Sequence, residues 1–449
     1  MQGKLSDAER LLQAQAKFSA LVEVVQEDRE SEELSQVEKQ LFSGLLDLGR
    51  SLLEVYVAKH GTGYVGSVWD RGDGVEWSCQ GIRSKVYLSV FGPLQIRRSY
   101  YYGAEQGEGG CPLDEELQLP ERKYSYLLSE WMLRFCVKGA YDGAVEDLKS
   151  LLGLSVPKRS MEVLAGEVSE SVEAFEAQVS PPEEEGEILV VGVDGKGVPM
   201  RRETPKPAPK RLKKGEKQTK KKMATVGTVY SLEEASEESS PKHKESFATL
   251  FGKETLFVRL RARALERGLT RSAKGVFLAD GEKALWKLKE QYFPELEGVL
   301  DWYHVSEHLW KAAYLFLPEG SSEAEAWVTQ KETQLKAGRV GYLIGGLKQM
   351  VTKAKRLKSE KRRKEMRKII GYFEQNRDHM DYARYRREGY PIGSGVVEAA
   401  VKTLVKTRME QTGMRWKEEG AEALLRLRAV FLNGYWEEFW RFHLQRQAA

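Results

Sequence analysis

Three acidic side chains stand where chemistry could be built. Asp194 closes the apolar run 188–193 of "ILVVGVDGKGV", Asp280 closes the run 276–279 of "KGVFLADGEK", and Glu398 lies early in "YPIGSGVVEAAVKTLVKTRMEQTGMRW". A hard cation such as Mg2+ takes few protein carboxylates, because it keeps waters and accepts phosphate oxygens as ligands. Three carboxylates meeting at the end of a sheet can hold two such ions, one at the attacking and one at the leaving oxygen of an in-line displacement on a phosphodiester. Asp194, Asp280 and Glu398 are therefore the candidate metal ligands. Asp301 competes with Asp280, since "GVLDWYH" also ends a strand-like run on an Asp. With His304 and His308, four residues apart, Asp301 also imitates a zinc trio, for which a structural role of the two rings is the commoner reading.

Particular elements must carry these groups. The runs before Asp194 and Asp280 are short, rich in β-branched residues and bounded by turns, so they read as buried strands. The helix-like "EKALWKLKEQYF" lies between the Asp280 and Asp301 strands, and strand, helix, strand alternation predicts an α/β sheet with parallel strands. Residues 305–385 read as wholly helical. Glu398 follows Pro391, Gly393 and Gly395, which would bring backbone close to the metal site, and is offered by the first turn of a helix. Upstream, residues 1 to about 60 read as helix, and "SKVYLSVFGPLQIRRSYYYG" alternates as a hairpin turning at Phe91-Gly92-Pro93. In "YDGAVEDLKSLLGLSVPKRSMEVLAGEV" a helix ends at Gly153 and a second opens with Lys158 and Arg159, the spacing of a helix-turn-helix that could present those cations to DNA. Plain helix packing is the alternative. The Pro-rich acidic "SPPEEEGE" reads as a linker.

Charge is distributed in blocks. The 449 residues carry 71 Lys and Arg against 67 Asp and Glu, a net charge of only +4. Yet residues 201–222 hold eleven Lys or Arg against two Glu, and residues 353–368 hold ten against two. Either run alone reads as a solvated surface. Both fall in one α/β segment, which favours a polyanionic partner such as nucleic acid. Lys210, Arg211, Lys213 and Lys214 of the first run are candidate phosphate contacts. So are Lys402, Lys406, Arg408 and Arg415 after Glu398, with the Trp416 indole expected to stack on a base or sugar. Cys79, Cys111 and Cys136 lie far apart with no CxxC pair, so neither a disulfide framework nor a zinc knuckle is indicated. No apolar signal core or span of about 18 apolar residues occurs, so a cytoplasmic protein with no membrane partner is expected.

The order Asp, Asp, Glu, with a helical segment before the Glu, resembles the DDE transposases of bacterial insertion sequences. Carrying the resemblance are "VGVDGKGV", "LADGEKALWKLKEQYFPELEGVLDWYHVSEHLW", "GYPIGSGVVEAAVKTLVKTRMEQTGMRW" and "LRLRAVFLNGYWEEFWRFH". The second is similar to the Mutator-like pattern, in which an Asp-Gly turn, a helix ending near Phe-Pro and a strand closing on D-x-x-H, here Asp301 to His304, follow one another. The likeness covers residues 185 to 445.

What it implies is a ribonuclease H-like α/β core with an inserted all-α segment, behind a mainly α N-terminal region with a β-hairpin and a helix-turn-helix. The domains would be 1–120, 121–180, 181–304 with the basic loop 201–222, the helical insertion 305–389, and core helices 390–449. Asp194, Asp280 and Glu398 would be the catalytic set, Asp280 being favoured over Asp301, with Asp301 and His304 auxiliary. Two Mg2+ ions, with Mn2+ as a substitute, would serve cleavage at the ends of a mobile element and strand transfer into target DNA. Partners would be double-stranded DNA, as terminal inverted repeats and target, and a second copy in a homodimer or higher homo-oligomer. A bacterial host would place the chain on the nucleoid. Relatives often carry a CxxC zinc ribbon after the hairpin, where this chain has only Cys111. A magnesium nuclease that does not join, and a non-catalytic DNA-binding derivative, are the competing functions.

Overall fold

The computed structural model describes residues 7–26, 33–72, 74–104, 107–201, 221–233, 239–269, 274–352 and 359–448. Two compact units emerge, Met1–Ala165 with Trp440–Ala449, and Gly166–Phe439.

The first unit opens with two long helices, α1 (Asp7–Gln26) and α2 (Leu34–Lys59), followed by a four-stranded antiparallel sheet in the order β1 (Val68–Trp69), β2 (Trp77–Ser89), β3 (Gly92–Gly103) and β4 (Glu108–Gly110). The hairpin predicted from alternation is β2–β3. Its turn sits at Val90–Phe91, with Ser89 paired to Gly92. Trp69, Trp77 and Tyr101 pack edge to face beneath it, ring centroids 5.7 to 5.9 Å apart. Helices α3 (Pro112–Glu116), α4 (Tyr126–Lys138), α5 (Tyr141–Leu152) and α6 (Lys158–Ser169) follow. Gly153 ends α5 at φ +67°, the left-handed cap that glycine adopts without strain. All three cysteines are free, Cys111 and Cys136 being buried.

The second unit is built on a five-stranded sheet. In chain order come α7 (Val172–Glu176), β5 (Ile188–Pro199), β6 (Lys221–Leu232), β7 (Pro241–Thr249), α8 (Lys253–Glu266), β8 (Lys274–Ala279), α9 (Lys283–Tyr292) and β9 (Glu297–Leu300). The spatial order is β7-β6-β5-β8-β9. Strand β6 runs antiparallel to both β5 and β7, while β8 is parallel to β5 and β9 to β8. Side chains alternate faces along a strand, and both faces here are covered. Ile188, Val190, Val276, Leu278 and Val299 enter one buried cluster, whereas Leu189, Val191, Val193 and Phe277 enter the other. This is why the strands read as continuous apolar runs.

The helical segment after β9 comprises α10 (Trp302–Ala313), α11 (Ser322–Lys336), α12 (Val340–Thr352), α13 (Glu360–Gln375) and α14 (Tyr382–Arg387). Leu309, Val328, Leu343, Phe373 and Tyr382 of these helices complete the first cluster, so the segment is a layer of the core. Helices α8 and α9 cover the opposite face through Phe257, Leu260 and Leu285. The chain closes with α15 (Gly395–Ala400), a π-helical stretch Val401–Lys406, α16 (Thr407–Met409), α17 (Glu418–Leu432) and α18 (Trp436–Ala448). Among the described residues no helix is long and apolar enough to cross a membrane.

Two expectations differ from what is seen. The units divide at Ala165 and Gly166 rather than at 180/181. The reason is that α7 already packs into the second unit, with Phe175 5.4 Å from the Phe439 ring and Glu176 paired to Arg259 at 2.7 Å. Strand β7 and helix α8 were also not anticipated. The strand's first half, "PKHKE", is polar and largely exposed, which hides it from a periodicity argument.

Candidate metal centre

Sheet register sets the site. Val193 of β5 pairs with Ala279 of β8, and Ala279 pairs with Leu300 of β9. The next residue in each case is an Asp, so Asp194, Asp280 and Asp301 lie side by side: Asp280 and Asp301 follow the last residues of β8 and β9, whereas Asp194 lies midway along β5, which runs on past it to Pro199 paired with β6. Open α/β sheets bind ligands at the carboxyl ends of their strands.

The three carboxylates then part ways. Asp194 Oδ1 accepts from the Gly195 amide at 2.6 Å, and Asp280 Oδ1 accepts from the Glu282 amide at 2.9 Å, at the head of α9. Asp301 turns inward at 1% exposure and caps α10. Its Oδ2 lies 2.6 Å from His304 Nδ1, and its Oδ1 accepts from the amides of Ser394 at 2.8 Å and Tyr303 at 3.3 Å. The group whose ligand atoms all lie within 4.8 Å of one another, among the described residues, is Asp194, Asp280 and His304. Glu398 stands outside this trio, exposed, in the first turn of α15. Its helix is nonetheless fixed against the site. Val397 rests on Gly192, where a Cβ would come within 3.3 Å of its own, and the Ser394 cap is bonded to Asp301. The close approach expected of Gly393 is to Tyr303, whose ring a Cβ there would meet at 3.1 Å.

Electrostatics follow from crowding of like charges. Burial pushes the Asp194 carboxyl up, reinforced by Asp280 and Asp301 and opposed by the Gly195 amide and His304. Glu398 is also raised, by burial first and then by Asp301 and Asp194. His304 is raised to about 9, chiefly by its hydrogen bond to Asp301. Neighbouring anions that raise each other's pKa values and draw a proton onto His304 are a site short of positive charge, which a divalent cation would supply while displacing that proton. Two carboxylates and one imidazole are donors suited to a divalent cation, so the residues present fit one.

The Asp280 turn is held from the helical layer. The Tyr372 hydroxyl of α13 donates to the Asp280 carbonyl at 2.9 Å. Gly281 adopts φ +87°, and a Cβ there would fall 2.8 Å from both Asn376 Nδ2 and Leu300 Cδ1. Asn376 is fully buried and accepts from Trp286 Nε1 at 2.6 Å. Reading the sequence missed Tyr372 and Asn376, which lie more than 90 residues from Asp280 in the chain and carry no local signal.

Several expected DNA contacts sit elsewhere. Arg408 is fully buried and Trp416 is 7% exposed, with the guanidinium 4.9 Å from the indole centroid. The indole nitrogen donates to the Met409 carbonyl at 3.0 Å, and the Trp416 backbone bridges to Met200 just past β5. These two residues therefore lock the end of α16 to the sheet and do not face solvent. Lys158 pairs with Asp142 at 2.8 Å and Arg159 with Glu162 at 3.4 Å. Lys402, Lys406 and Arg415 are exposed. Lys210, Arg211, Lys213 and Lys214 lie outside the described residues. His308 is not part of the trio but stacks on Tyr372, centroids 3.9 Å apart.

Residues 30–443 match the family described as an uncharacterised protein family, UPF0236. The chain belongs to UPF0236. No curated protein matches this UPF0236 chain in sequence. Among solved structures, the Drosophila P element transposase strand transfer complex aligns with 71% of it and 81% of its own chain, at 11% identity and a TM-score of 0.25.

Proposed function

We propose that this chain is a metal-dependent DNA transposase of the DDE kind, with a ribonuclease H-like core. The observation that carries the reading is the alignment of Asp194 of β5 with Asp280 at the end of the adjacent parallel strand β8, with His304 beside them and the Glu398 helix packed on β5. Sheet order β7-β6-β5-β8-β9, antiparallel across its first three strands and parallel across its last three, supports the core.

Asp194 and Asp280 would hold divalent cations. Bound there, such ions supply Lewis acidity to the attacking and leaving oxygens of a phosphodiester. The remaining work belongs to the chain. Glu398, on the rim of the trio and with its carboxyl raised, is set to complete the negative field when DNA and cations arrive together. Its helix runs straight into the π-helical stretch Val401–Lys406, a feature that recurs at functional sites. Exposed Lys402, Lys406 and Arg415, with Lys210, Arg211, Lys213 and Lys214 of the basic segment before β6, would hold DNA phosphates. Cleavage would occur at element ends and the freed 3′ hydroxyl would be joined to target DNA, in an assembly of at least two copies.

The test uses purified full-length protein, labelled DNA from both borders of the genomic segment that encodes it, and a target plasmid. Metal-dependent cleaved and joined products are expected, abolished by EDTA and reduced at least about 100-fold by Asp280→Asn and by Glu398→Gln, the scale of losing one charge-stabilising group. Cleavage without joining would replace the reading with a nuclease. DNA binding with no chemistry would make the chain a DNA-binding derivative.

A further inference from the structure

Asp301 has no freedom to be a ligand. Both carboxylate oxygens are taken, one by His304 and one by the Ser394 and Tyr303 amides, at 1% exposure. Its backbone is committed as well, since the Asp301 amide donates to the Ala279 carbonyl at 2.9 Å and the Trp302 amide to Ile392 at 2.8 Å. Asp301 thus ties together, by its amide, the strand end that carries Asp280 and, by its carboxylate, the helix that carries His304 and the segment that leads to Glu398. Meanwhile a donor nitrogen of the His304 ring lies within 4.8 Å of carboxylate oxygens of Asp194 and Asp280, and its Nδ1 is the nitrogen engaged by Asp301. That leaves Nε2 to face a third group. Histidines that bind metals donate the other ring N–H to a carboxylate in this way, which fixes the tautomer and makes the ligand more basic.

Resting on the metal reading of this site, we propose that His304 Nε2 is a third ligand to the ion held by Asp194 and Asp280, and that Asp301 is the positioning residue that aims it. A nitrogen among oxygens changes which ion the site prefers. Mg2+ takes oxygen and water, whereas imidazole raises affinity along the first-row divalent series. The site therefore selects Mn2+ over Mg2+ by more than two carboxylates alone would.

The experiment is Mn2+ titration of the full-length protein, followed by the electron paramagnetic resonance of free Mn2+, with Mg2+ as competitor. Electron spin-echo modulation of the bound Mn2+ reports a directly coordinated nitrogen. Asp301→Asn keeps an acceptor oxygen for the Ser394 amide but turns an NH2 toward His304 Nδ1. The ring must then carry its proton on Nε2, which can no longer ligate.

Asp301→Asn and His304→Ala are each expected to weaken Mn2+ binding about 10- to 100-fold, to lower the Mn2+ to Mg2+ preference, and to abolish the nitrogen modulation. A merely structural role for the pair would change neither the preference nor the modulation. If Asp301→Asn does not fold, His304→Ala, which leaves the Ser394 bond in place, decides alone. Unchanged Mn2+ affinity and preference in His304→Ala, with binding lost in Asp280→Asn, would overturn the histidine ligand and leave the carboxylate site standing. No binding of either ion to the wild type at millimolar concentration would overturn the metal reading itself, and this inference with it.

Discussion

His308 illustrates how one residue's neighbours decide its chemistry. It follows His304 by one helical turn, yet its ring is stacked on Tyr372 and its Nδ1 is buried with no hydrogen-bond partner among the described residues. Burial, joined by the charges of Lys311 and His304 and opposed by Glu307, holds its pKa down to about 4 from 6.5. At pH 7 both the folded and unfolded forms are neutral. Below about 6.5 the unfolded chain takes up a proton that the folded one refuses, so stability falls until pH passes about 4. The full loss is roughly 3 kcal/mol at 1.36 kcal/mol per unit. Replacing His308 by Gln removes this response, while His304 enters both profiles alike. Denaturant unfolding at pH 7 and pH 5 should therefore show the wild type losing about 2 kcal/mol more than His308→Gln. Parallel losses would mean that the ring is accessible to protons in the folded state.

At the scale of elements, the Asp280 turn is where local backbone and distant packing meet. The φ of +87° at Gly281 is one that L side chains rarely adopt, and the space for a Cβ is taken by Asn376 and Leu300. Gly281→Ala must distort the turn or push Asn376 off its bond to Trp286. It is expected to cost about 2 to 4 kcal/mol, a strain term with an overpacking term added, and to displace Asp280. Gly153→Ala, with a similar positive φ but open space around it, should cost only about 1 kcal/mol. Thermal unfolding of both variants checks the contrast, and equal effects would refute the packing argument. This turn also marks what the sequence makes legible. The runs ending at Asp194, Asp280 and Asp301 announce themselves because strands buried on both faces need continuous apolar residues. Their alignment into one row follows from register, and register is set by pairing that no single run displays. His304 could be picked out by its distance from Asp301, but its place beside Asp194 could not. Buried Arg408 and Trp416 look like surface groups in a basic amphipathic pattern, because a sequence does not disclose that a cation will be stacked under an indole.

For the whole molecule the question is how much of its positive charge is available to a polyanion. A net +4 conceals heavy internal pairing. Lys196 and Lys221 both pair with Glu410, and Lys222 with Glu418. Within the second basic run, Arg363 and Arg367 share Glu360 at 2.8 Å, and Lys368 meets Glu365. Lys158 and Arg159 have carboxylate partners too. A cation that must first leave a carboxylate gains less from a phosphate, so counting basic residues overstates the attraction. Lys210, Arg211, Lys213 and Lys214 sit in a stretch of sequence with few acids of its own. Each phosphate contact contributes about 0.9 to the slope of log affinity against log salt. Changing these four to Ser should lower that slope by up to about 3.6 on duplex DNA, measured by fluorescence anisotropy between low and moderate salt. The double change Lys158→Ser with Arg159→Ser should lower it by less than about 1.8, two full contacts, because part of their charge is already spent on Asp142 and Glu162. An unchanged slope in the fourfold variant would remove these residues from the DNA interface and move the electrostatic grip to Lys402, Lys406 and Arg415.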